Sequence, residues 1–174
     1  METLDALLDT LPEAARDLKL NVKAVLGDSS LTAAQTWGTA VACAIAADHL
    51  ELQRAITDQA RQRVEAPVLD DAVAAAAIMG MNNVYYRFRH MVGGAYDQIP
   101  ARLRMNRLSR PATNRADLEL FCLAVSAIHG CEACVRSHEK VVRAGGLTEQ
   151  QVNDAVRIAA TLHGAAVALR AART

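Results

Sequence analysis

The sequence predicts an all-α protein, a single domain of about seven to eight helices that covers residues 1–174. Its length supports one domain, because 174 residues are enough to enclose a sizeable core. Its composition favours helices over sheets, because aromatic residues make up only 3% of the chain and alanine supplies much of the 52% hydrophobic content. No segment alternates apolar and polar residues as a half-buried strand does, and the periodic segments repeat at helical spacing.

In the first half of the chain, capping residues and prolines mark the helix boundaries. Thr32 and Gln35 form a capping-box pattern, in which each side chain can bond the other's backbone N–H. Pro12 suits the first turn of a helix, and Pro67 follows the end of another. The helices predicted here cover Glu2 to Asp9, begin at Pro12, extend from Thr32 to about Ala47, cover Leu50 to Val64, and extend from about Leu69 through Tyr86.

In the second half, asparagine, glycine and a second capping box give the boundaries. Asn114 is a good N-cap, Gly130 interrupts the helix that follows it, and Thr148 with Gln151 opens the last helix. The elements predicted here are a short helix within the basic connection from Asp97 to Pro111, a helix from Asn114, one from Cys131 to about Ala144 that closes on Gly145-Gly146, and one from Glu149 to about Ala171.

The chain also contains a weak internal repeat, over about residues 30–90 and 114–172. Asp71 matches Asp154 at an offset of 83, together with several alanines that follow them. Each copy would hold a capped helix, a second helix, a glycine or proline break, and an alanine-rich helix. We therefore predict an internal duplication of one helical unit.

Charge and cysteine content bear on the compartment and the partners. Lys+Arg and Asp+Glu both number 19, so nothing in the charge balance indicates a nucleic acid or an anionic membrane surface as a partner. Met1 to Thr10 lacks a basic region and a long apolar run, and Ala72 to Met81 is too short to cross a bilayer. We therefore expect a cytoplasmic protein, in which Cys43 and Cys122 are small core residues.

The sequence feature that carries chemistry is Cys131-Glu132-Ala133-Cys134, followed by His138. On a helix the two cysteines would share one face with Cα atoms ~5 Å apart, inside the range for a disulfide. Cys131 would sit at a helix N-terminus, which stabilises a thiolate, whereas Cys134 would have an imidazole one turn away. Either thiol could therefore be the nucleophile. If the repeat is real, Cys131 falls on Ala47, and only the second copy carries a redox centre.

Glu119 is the candidate partner for His138. It lies on the preceding helix, on a track that could face the CxxC helix if the chain folds back near Gly130. A carboxylate beside an imidazole orients the ring and raises its basicity. The alternative is that Glu119 is a solvated residue near a helix start.

Two other interpretations of the cysteine motif remain open. The two cysteines could be core residues, although they flank polar residues beside a glycine. They could also bind zinc, which would need four ligands. The zinc set would consist of Cys131, Cys134 and His138, with His129 or His163 as the fourth ligand. Structural zinc usually draws on two separated ligand pairs, and the sequence has no second pair of that kind.

The spacing of Glu119, eleven residues, Cys131-Glu132-Ala133-Cys134, three residues and His138 resembles that of the alkylhydroperoxidase D proteins. These belong to the broader carboxymuconolactone decarboxylase-like superfamily. Residues 76–84, which read Ala-Ala-Ile-Met-Gly-Met-Asn-Asn-Val, are also similar to that family, as are residues 121–130. The resemblance runs nearly end to end, and it implies an all-helical, internally duplicated homotrimer.

The resemblance also implies roles for the site residues. Cys134 would be the peroxidatic cysteine, oxidised to a sulfenic acid, and Cys131 the resolving cysteine and proton donor. Glu119 and His138 would form the proton relay. Some members carry a histidine just before the second cysteine, where this chain has Ala133, so more of the proton handling would rest on His138.

The function implied is that of an antioxidant thiol peroxidase, which reduces alkyl hydroperoxides with no bound cofactor. The reductant would be an external dithiol, the lipoyl group of a 2-oxoacid dehydrogenase-complex component, and a peroxiredoxin would be a further partner. No GxGxxG motif for a flavin or nicotinamide occurs, so electrons would come from another protein. The alternatives are a carboxymuconolactone decarboxylase-like lyase acting on a small cyclic acid, and a zinc-stabilised helical adaptor.

Overall fold

The computed structural model describes residues 3–172, which form one all-helical domain without strands. The predicted fold class is confirmed, and none of the helices in this range is long and apolar enough to cross a membrane. The eight α-helices are α1 (Leu4–Leu8), α2 (Arg16–Gly27), α3 (Ala33–Ala46), α4 (Leu50–Ala60), α5 (Ala66–Met91), α6 (Arg115–Ile128), α7 (Glu132–Ala144) and α8 (Glu149–Ala171). Two short 3₁₀ helices cover Glu13–Ala15 and Asn106–Ser109.

The predicted caps are confirmed where side chain and backbone interact locally. Both capping boxes form, at Thr32 with Gln35 and at Thr148 with Gln151. The Asn114 side chain accepts a hydrogen bond from the Asp117 backbone N–H and so caps α6. These caps satisfy amide groups that a helix end would otherwise leave unpaired, which is why the sequence marks these starts well.

Other boundaries differ from the prediction. A 3₁₀ turn follows Pro12, so α2 begins only at Arg16, and α4 ends at Ala60 rather than Val64. Helix α5 is longer than predicted at both ends. It begins before Leu69 because Pro67 fits in its first turn, where a missing N–H costs nothing. The predicted start at Glu2 lies outside the described residues.

Helices α3 and α6 form the centre of the bundle, and both are buried over most of their length. They cross where Gly38 of α3 meets the ring of Phe121, which is fully buried. A Cβ atom at Gly38 would overlap that ring, so glycine permits this close approach. Helices α5 and α8 pack against this pair, and α7 lies against α6 and α5. The site on α7 therefore lies against the central, most buried helices of the core.

The two halves of the chain run through the same order of helices. Helix α6 begins and ends 82 residues after α3, at 115 against 33 and at 128 against 46. At this offset Cys131, the N-cap of α7, corresponds to His49, the N-cap of α4, rather than to Ala47 as predicted. An evolutionary duplication stays a prediction, but the positional correspondence is a property of the fold.

Asp71 and Asp154 occupy equivalent places in the two halves, as their sequence match suggested. Asp71 on α5 accepts hydrogen bonds from the backbone N–H groups of Ala112 (2.9 Å) and Thr113 (2.8 Å), just before α6. Asp154 on α8 accepts from the backbone N–H (2.9 Å) and hydroxyl (2.7 Å) of Ser30, just before α3. Each buried carboxylate thus holds the loop that opens the central helix of the other half.

Candidate active site

Cys131 and Cys134 form a disulfide at the start of α7, with their Cα atoms 5.3 Å apart. Cys131 is the N-cap and Cys134 lies in the first turn, so the helix itself sets the spacing expected from the sequence. The turn that separates α6 from α7 passes through Gly130, whose φ of 63° is readily adopted by glycine. Cys131 is fully buried and Cys134 is 6% exposed. Of the two cysteines, Cys134 is therefore the more exposed to solvent.

His138 lies one turn beyond Cys134 and is paired with Glu119 of α6. The distance between His138 Nδ1 and Glu119 Oε2 is 2.6 Å, a short charge-assisted hydrogen bond in which the ring nitrogen donates. Glu119 is only 8% exposed, so its interpretation as a solvated surface residue is wrong. The other carboxylate oxygen lies 3.7 Å from Arg115 Nε. The pair therefore presents an oriented imidazole on α7.

A methionine meets the second nitrogen of this imidazole. His138 Nε2 lies 3.2 Å from the sulfur of Met79, which is completely buried in α5. The ring is therefore held on both sides, by a carboxylate from α6 and by a thioether from α5. Two-sided support of this kind fixes the orientation of the ring.

Cys134, His138 and Glu119 line one cavity of about 460 Å³ between α5, α6 and α7. This volume suits a small organic molecule. The other lining residues are Asn82 and Tyr86 of α5, Met105 and Leu108 of the connection after α5, Arg115 of α6, and Ala133, Ser137 and Val141 of α7. The cavity thus combines apolar side chains with one cysteine sulfur and an imidazole–carboxylate pair.

The sequence identified the four central residues but missed much of their surroundings. From the sequence, Met79 and Tyr86 fit core or subunit packing better than a substrate wall, and Met105 gave no signal, because all three reach the site from a helix and a connection far away in the chain. One available signal was the pair Asn82-Asn83, two amides within an otherwise largely apolar stretch of α5. Both are buried, which is unusual for asparagine.

The remaining cysteines and histidines lie apart from this chemistry. Cys43 and Cys122 are completely buried free thiols, as predicted, and burial raises the pKa of each, so both stay protonated. His129 Nδ1 is directed at the side chain of Asn83, at 2.9 Å. Between residues 3 and 172, no group of three or more His, Cys, Asp and Glu side chains is arranged to hold a metal ion.

Known proteins match this chain over nearly its full length. An alkyl hydroperoxide reductase AhpD of Anaeromyxobacter sp. (strain K) is 63% identical over 173 residues, 99% of this chain and 93% of the relative. The protein of the same name from Brucella suis is 44% identical over 173 residues, 99% of both chains. The chain belongs to the alkylhydroperoxidase D family. The profile of the carboxymuconolactone decarboxylase family also matches residues 95–174, which hold the whole of α6, α7 and α8.

A third relative also matches almost the whole chain. A relative from Gluconacetobacter diazotrophicus, again named alkyl hydroperoxide reductase AhpD, is 51% identical over 167 residues, 96% of this chain and 92% of the relative. These matches cover both halves of the bundle, including the half without cysteines at the start of its second helix. The sequence similarity therefore extends over both halves of the helical framework.

Proposed function

We propose that this protein is an antioxidant thiol peroxidase that reduces alkyl hydroperoxides to alcohols through the Cys131–Cys134 pair. The observation that carries the proposal is a disulfide whose Cys134 opens onto the same cavity as the His138–Glu119 pair. The names of the relatives, alkyl hydroperoxide reductase AhpD, support the same chemistry.

In the first step, the reduced Cys134 is the nucleophile. Its thiolate attacks an oxygen of the hydroperoxide, the O–O bond breaks, and Cys134 becomes a sulfenic acid. The alkoxide that leaves takes a proton through His138, whose position is fixed by Glu119. The greater exposure of Cys134 supports this choice, because Cys131 is fully buried and does not line the cavity. The helix N-terminus helps the Cys131 thiol to give up its proton in the next step.

In the second step, Cys131 resolves the sulfenic acid. Its sulfur attacks Cys134 Sγ, the S–O bond breaks, and the thiol proton leaves with the hydroxide as water. The product is the disulfide seen here, with Cα atoms 5.3 Å apart. Cys131 is thus the resolving cysteine and a proton donor.

An external dithiol completes the cycle. Two thiols of the reductant are oxidised to a disulfide while Cys131 and Cys134 gain two electrons and two protons. The first thiol of the reductant attacks the sulfur of Cys134, since Cys134 lines the cavity and Cys131 does not. We propose the lipoyl group of a dehydrogenase-complex component as the physiological reductant and a peroxiredoxin as a second partner. A reducing cytoplasm suits a disulfide that must be reopened in every cycle.

We further propose that the protein works as a homotrimer. Large apolar side chains on one stretch of α5 are exposed: Met81 (36%), Val84 (61%), Phe88 (44%) and Met91 (73%). Their spacing of three to four residues gives a continuous apolar stripe, which a subunit contact would cover. Light scattering coupled to size-exclusion chromatography tests this proposal, and the mass of a single chain would contradict it.

The test of the peroxidase proposal begins with the reduced, metal-free protein and one equivalent of tert-butyl hydroperoxide. The expected result is loss of two of the four thiols and a Cys131–Cys134 linkage in the peptide map. Retention of all four thiols would reject the proposal. The unreacted peroxide in a Cys43→Ala control should fall at the same rate as with the parent protein.

A lyase acting on a small cyclic acid is the second candidate. The match of residues 95–174 to the carboxymuconolactone decarboxylase family favours it. Such a reaction has no need of a dithiol, so alkylation of Cys131 and Cys134 separates the two functions. Decarboxylation of a muconolactone that survives alkylation would support the lyase, whereas peroxide reduction would be lost.

A further inference from the structure

A second polar cluster lies behind the disulfide, on the side of Cys131. Asn83 of α5 is completely buried and uses both ends of its amide. Its Nδ2 donates to Ser126 Oγ at 2.9 Å, and its Oδ1 lies 2.9 Å from His129 Nδ1. Since a carbonyl oxygen only accepts, the ring nitrogen of His129 carries the hydrogen. Burial lowers the pKa of His129, and so does the nearby Arg87, so the ring is neutral at pH 7.

This cluster contacts residues 126–131, the short segment that leads from the last turn of α6 to Cys131. The Cys131 backbone N–H donates to the carbonyl of Ser126 at 3.1 Å. Asn83 therefore binds Ser126 in the last turn of α6 and His129 just after that helix, and Ser126 binds Cys131 in turn. Arg87, one turn further along α5, donates to the backbone carbonyl of His129. The link between α6 and α7 is thus fixed by side chains of α5.

Comparison with the other half of the bundle shows which contacts around this cluster belong to the shared framework. The offsets of 82 and 83 pair Arg87 with Arg170, and His129 with Ala47. Arg170 donates to the carbonyl of Ala47 at 2.9 Å, so the arginine contact occurs in both halves. An interaction that both halves keep belongs to the framework, since only one half has the disulfide.

The three members of the polar cluster have no such counterpart. At the same offsets, the positions of Ser126, His129 and Asn83 are taken by Ala44, Ala47 and Ala166, all of them buried. Three alanines therefore serve the same fold where no disulfide follows. A buried amide and hydroxyl contribute little net stability even when satisfied, so the packing alone does not call for them.

We propose that Asn83 is a positioning residue for Cys131, acting through Ser126 and His129. In the dithiol state no bond joins the two sulfurs. The contacts of the 126–131 link then act together with the first turn of α7, where the Val135 N–H donates to the Cys131 carbonyl at 2.9 Å, to keep Cys131 beside Cys134. By ordering that link before the bond forms, the cluster lowers the entropy lost when the disulfide closes. The part of this inference that concerns the sulfenic acid rests on the proposed peroxidase function.

The test uses Asn83→Ala and Ser126→Ala, which introduce the residues found at the equivalent positions of the other half. Each protein is equilibrated with reduced and oxidised dithiothreitol, and the Cys131–Cys134 disulfide fraction is measured by thiol alkylation and mass. We expect Asn83→Ala to shift the equilibrium toward the dithiol about tenfold, which corresponds to ~30 mV. Ser126→Ala should shift it in the same direction by a smaller factor.

Arg170→Ala is the matched control, because it removes a framework contact of the half without the disulfide. Its redox equilibrium should stay within about twofold of the parent. An unchanged equilibrium in a folded Asn83→Ala protein would overturn the proposal, as would an equal shift in the control. If circular dichroism shows that Asn83→Ala does not fold, Ser126→Ala decides the question by the same criterion.

A second readout separates this proposal from the peroxidase function. After one equivalent of tert-butyl hydroperoxide, dimedone trapping should detect a Cys134 sulfenic acid that lives longer in Asn83→Ala than in the parent. The rate of its formation should change less than its lifetime, since Asn83 reaches the Cys134 side only indirectly, through the Met79 sulfur that lies 3.8 Å from Asn83 Nδ2 and 3.2 Å from His138 Nε2. If peroxide leaves the parent's thiols intact, the peroxidase proposal fails, while the dithiothreitol equilibrium still tests the role of Asn83.

Discussion

The half formed by α3, α4 and α5 and the half formed by α6, α7 and α8 share a framework but differ at the positions of the site. At an offset of 82, the counterparts of Glu119, Cys131, Cys134 and His138 are Trp37, His49, Leu52 and Ile56. All four counterparts are buried, and three of them are large apolar or aromatic residues. The first half therefore has mainly apolar side chains at the positions where the second half has two cysteines, an imidazole and a carboxylate.

The start of the second helix in each half makes the difference clear. In α4 the N-cap His49 accepts a hydrogen bond from the Leu52 backbone N–H at 3.3 Å, so the side chain stabilises its own helix. In α7 the N-cap Cys131 makes no capping hydrogen bond, because its sulfur is bonded to Cys134. The second half thus gives up a capping interaction, typically ~1 kcal/mol, for a reactive sulfur pair.

The largest expected effect comes from Cys134→Ser, which removes the nucleophile. Peroxide turnover should fall to the background rate, because a serine hydroxyl is not ionised at neutral pH and does not form a sulfenic acid. A coupled assay with dihydrolipoamide and tert-butyl hydroperoxide measures this loss. Cys122→Ala is the control, and it should retain the parent rate, since that thiol is buried and protonated. Full activity in Cys134→Ser would refute the mechanism.

A smaller loss is expected for His138→Ile, which introduces the side chain found at the equivalent position of α4. Loss of a general acid–base group lowers rates by ~10²-fold or more. Stopped-flow measurement of the first oxidation step isolates this effect from reductant binding. Glu119→Gln keeps the size of the side chain and should lose about tenfold, because the imidazole keeps its place and loses only the charge of its partner. Equal rates in the parent, His138→Ile and Glu119→Gln would show that the pair is structural and takes no part in the oxidation step.

These comparisons also indicate what the sequence could predict. The capping boxes, the Asn114 cap and the CxxC spacing depend on residues within four positions of each other, so helix geometry alone specified them. The burial of Glu119 and its bond to His138 depend on how α6 packs against α7, which the spacing did not determine. Asn83 lies 43 residues from Ser126, so the cluster behind Cys131 became visible only when α5 was placed beside that turn.

The framework shared by the two halves predicts a loss of stability for Asp154→Asn. The variant weakens the bonds from Ser30, Gln150 and Arg157, and we expect the free energy of unfolding to fall by ~2 kcal/mol. Asp71→Asn should cost a similar amount, since Asp71 anchors the equivalent loop. Urea denaturation at pH 7 measures both changes. A loss confined to one variant would contradict the equivalence of the two anchors.

The Asp154 contribution should also depend on pH. Burial opposes ionisation, but the hydrogen bonds from Ser30 and from Arg157 outweigh it, and the pKa of Asp154 is lowered from its ordinary value of 3.8. A lowered folded-state pKa stabilises the protein above the unfolded pKa, and this contribution is lost as pH falls through the folded value. The difference between parent and Asp154→Asn should therefore be greatest near neutral pH and shrink below about pH 4.

The smallest effect is expected at the two arginines that bind the carbonyls after α3 and α6. Arg170→Gln and Arg87→Gln should each lower the free energy of unfolding by ~1 kcal/mol. Arg87 donates to the carbonyl of His129, and Arg170 donates to the carbonyls of Ala47 and, at 3.3 Å, Asp48. Only Arg87→Gln acts next to the disulfide link, so it should also produce a slight shift of the dithiol equilibrium. The pair therefore tests whether stability and redox balance are separable in this fold. If Arg170→Gln moved the redox equilibrium as far as Arg87→Gln does, the division between framework and site would not hold, since Arg170 binds backbone carbonyls of the half without the disulfide.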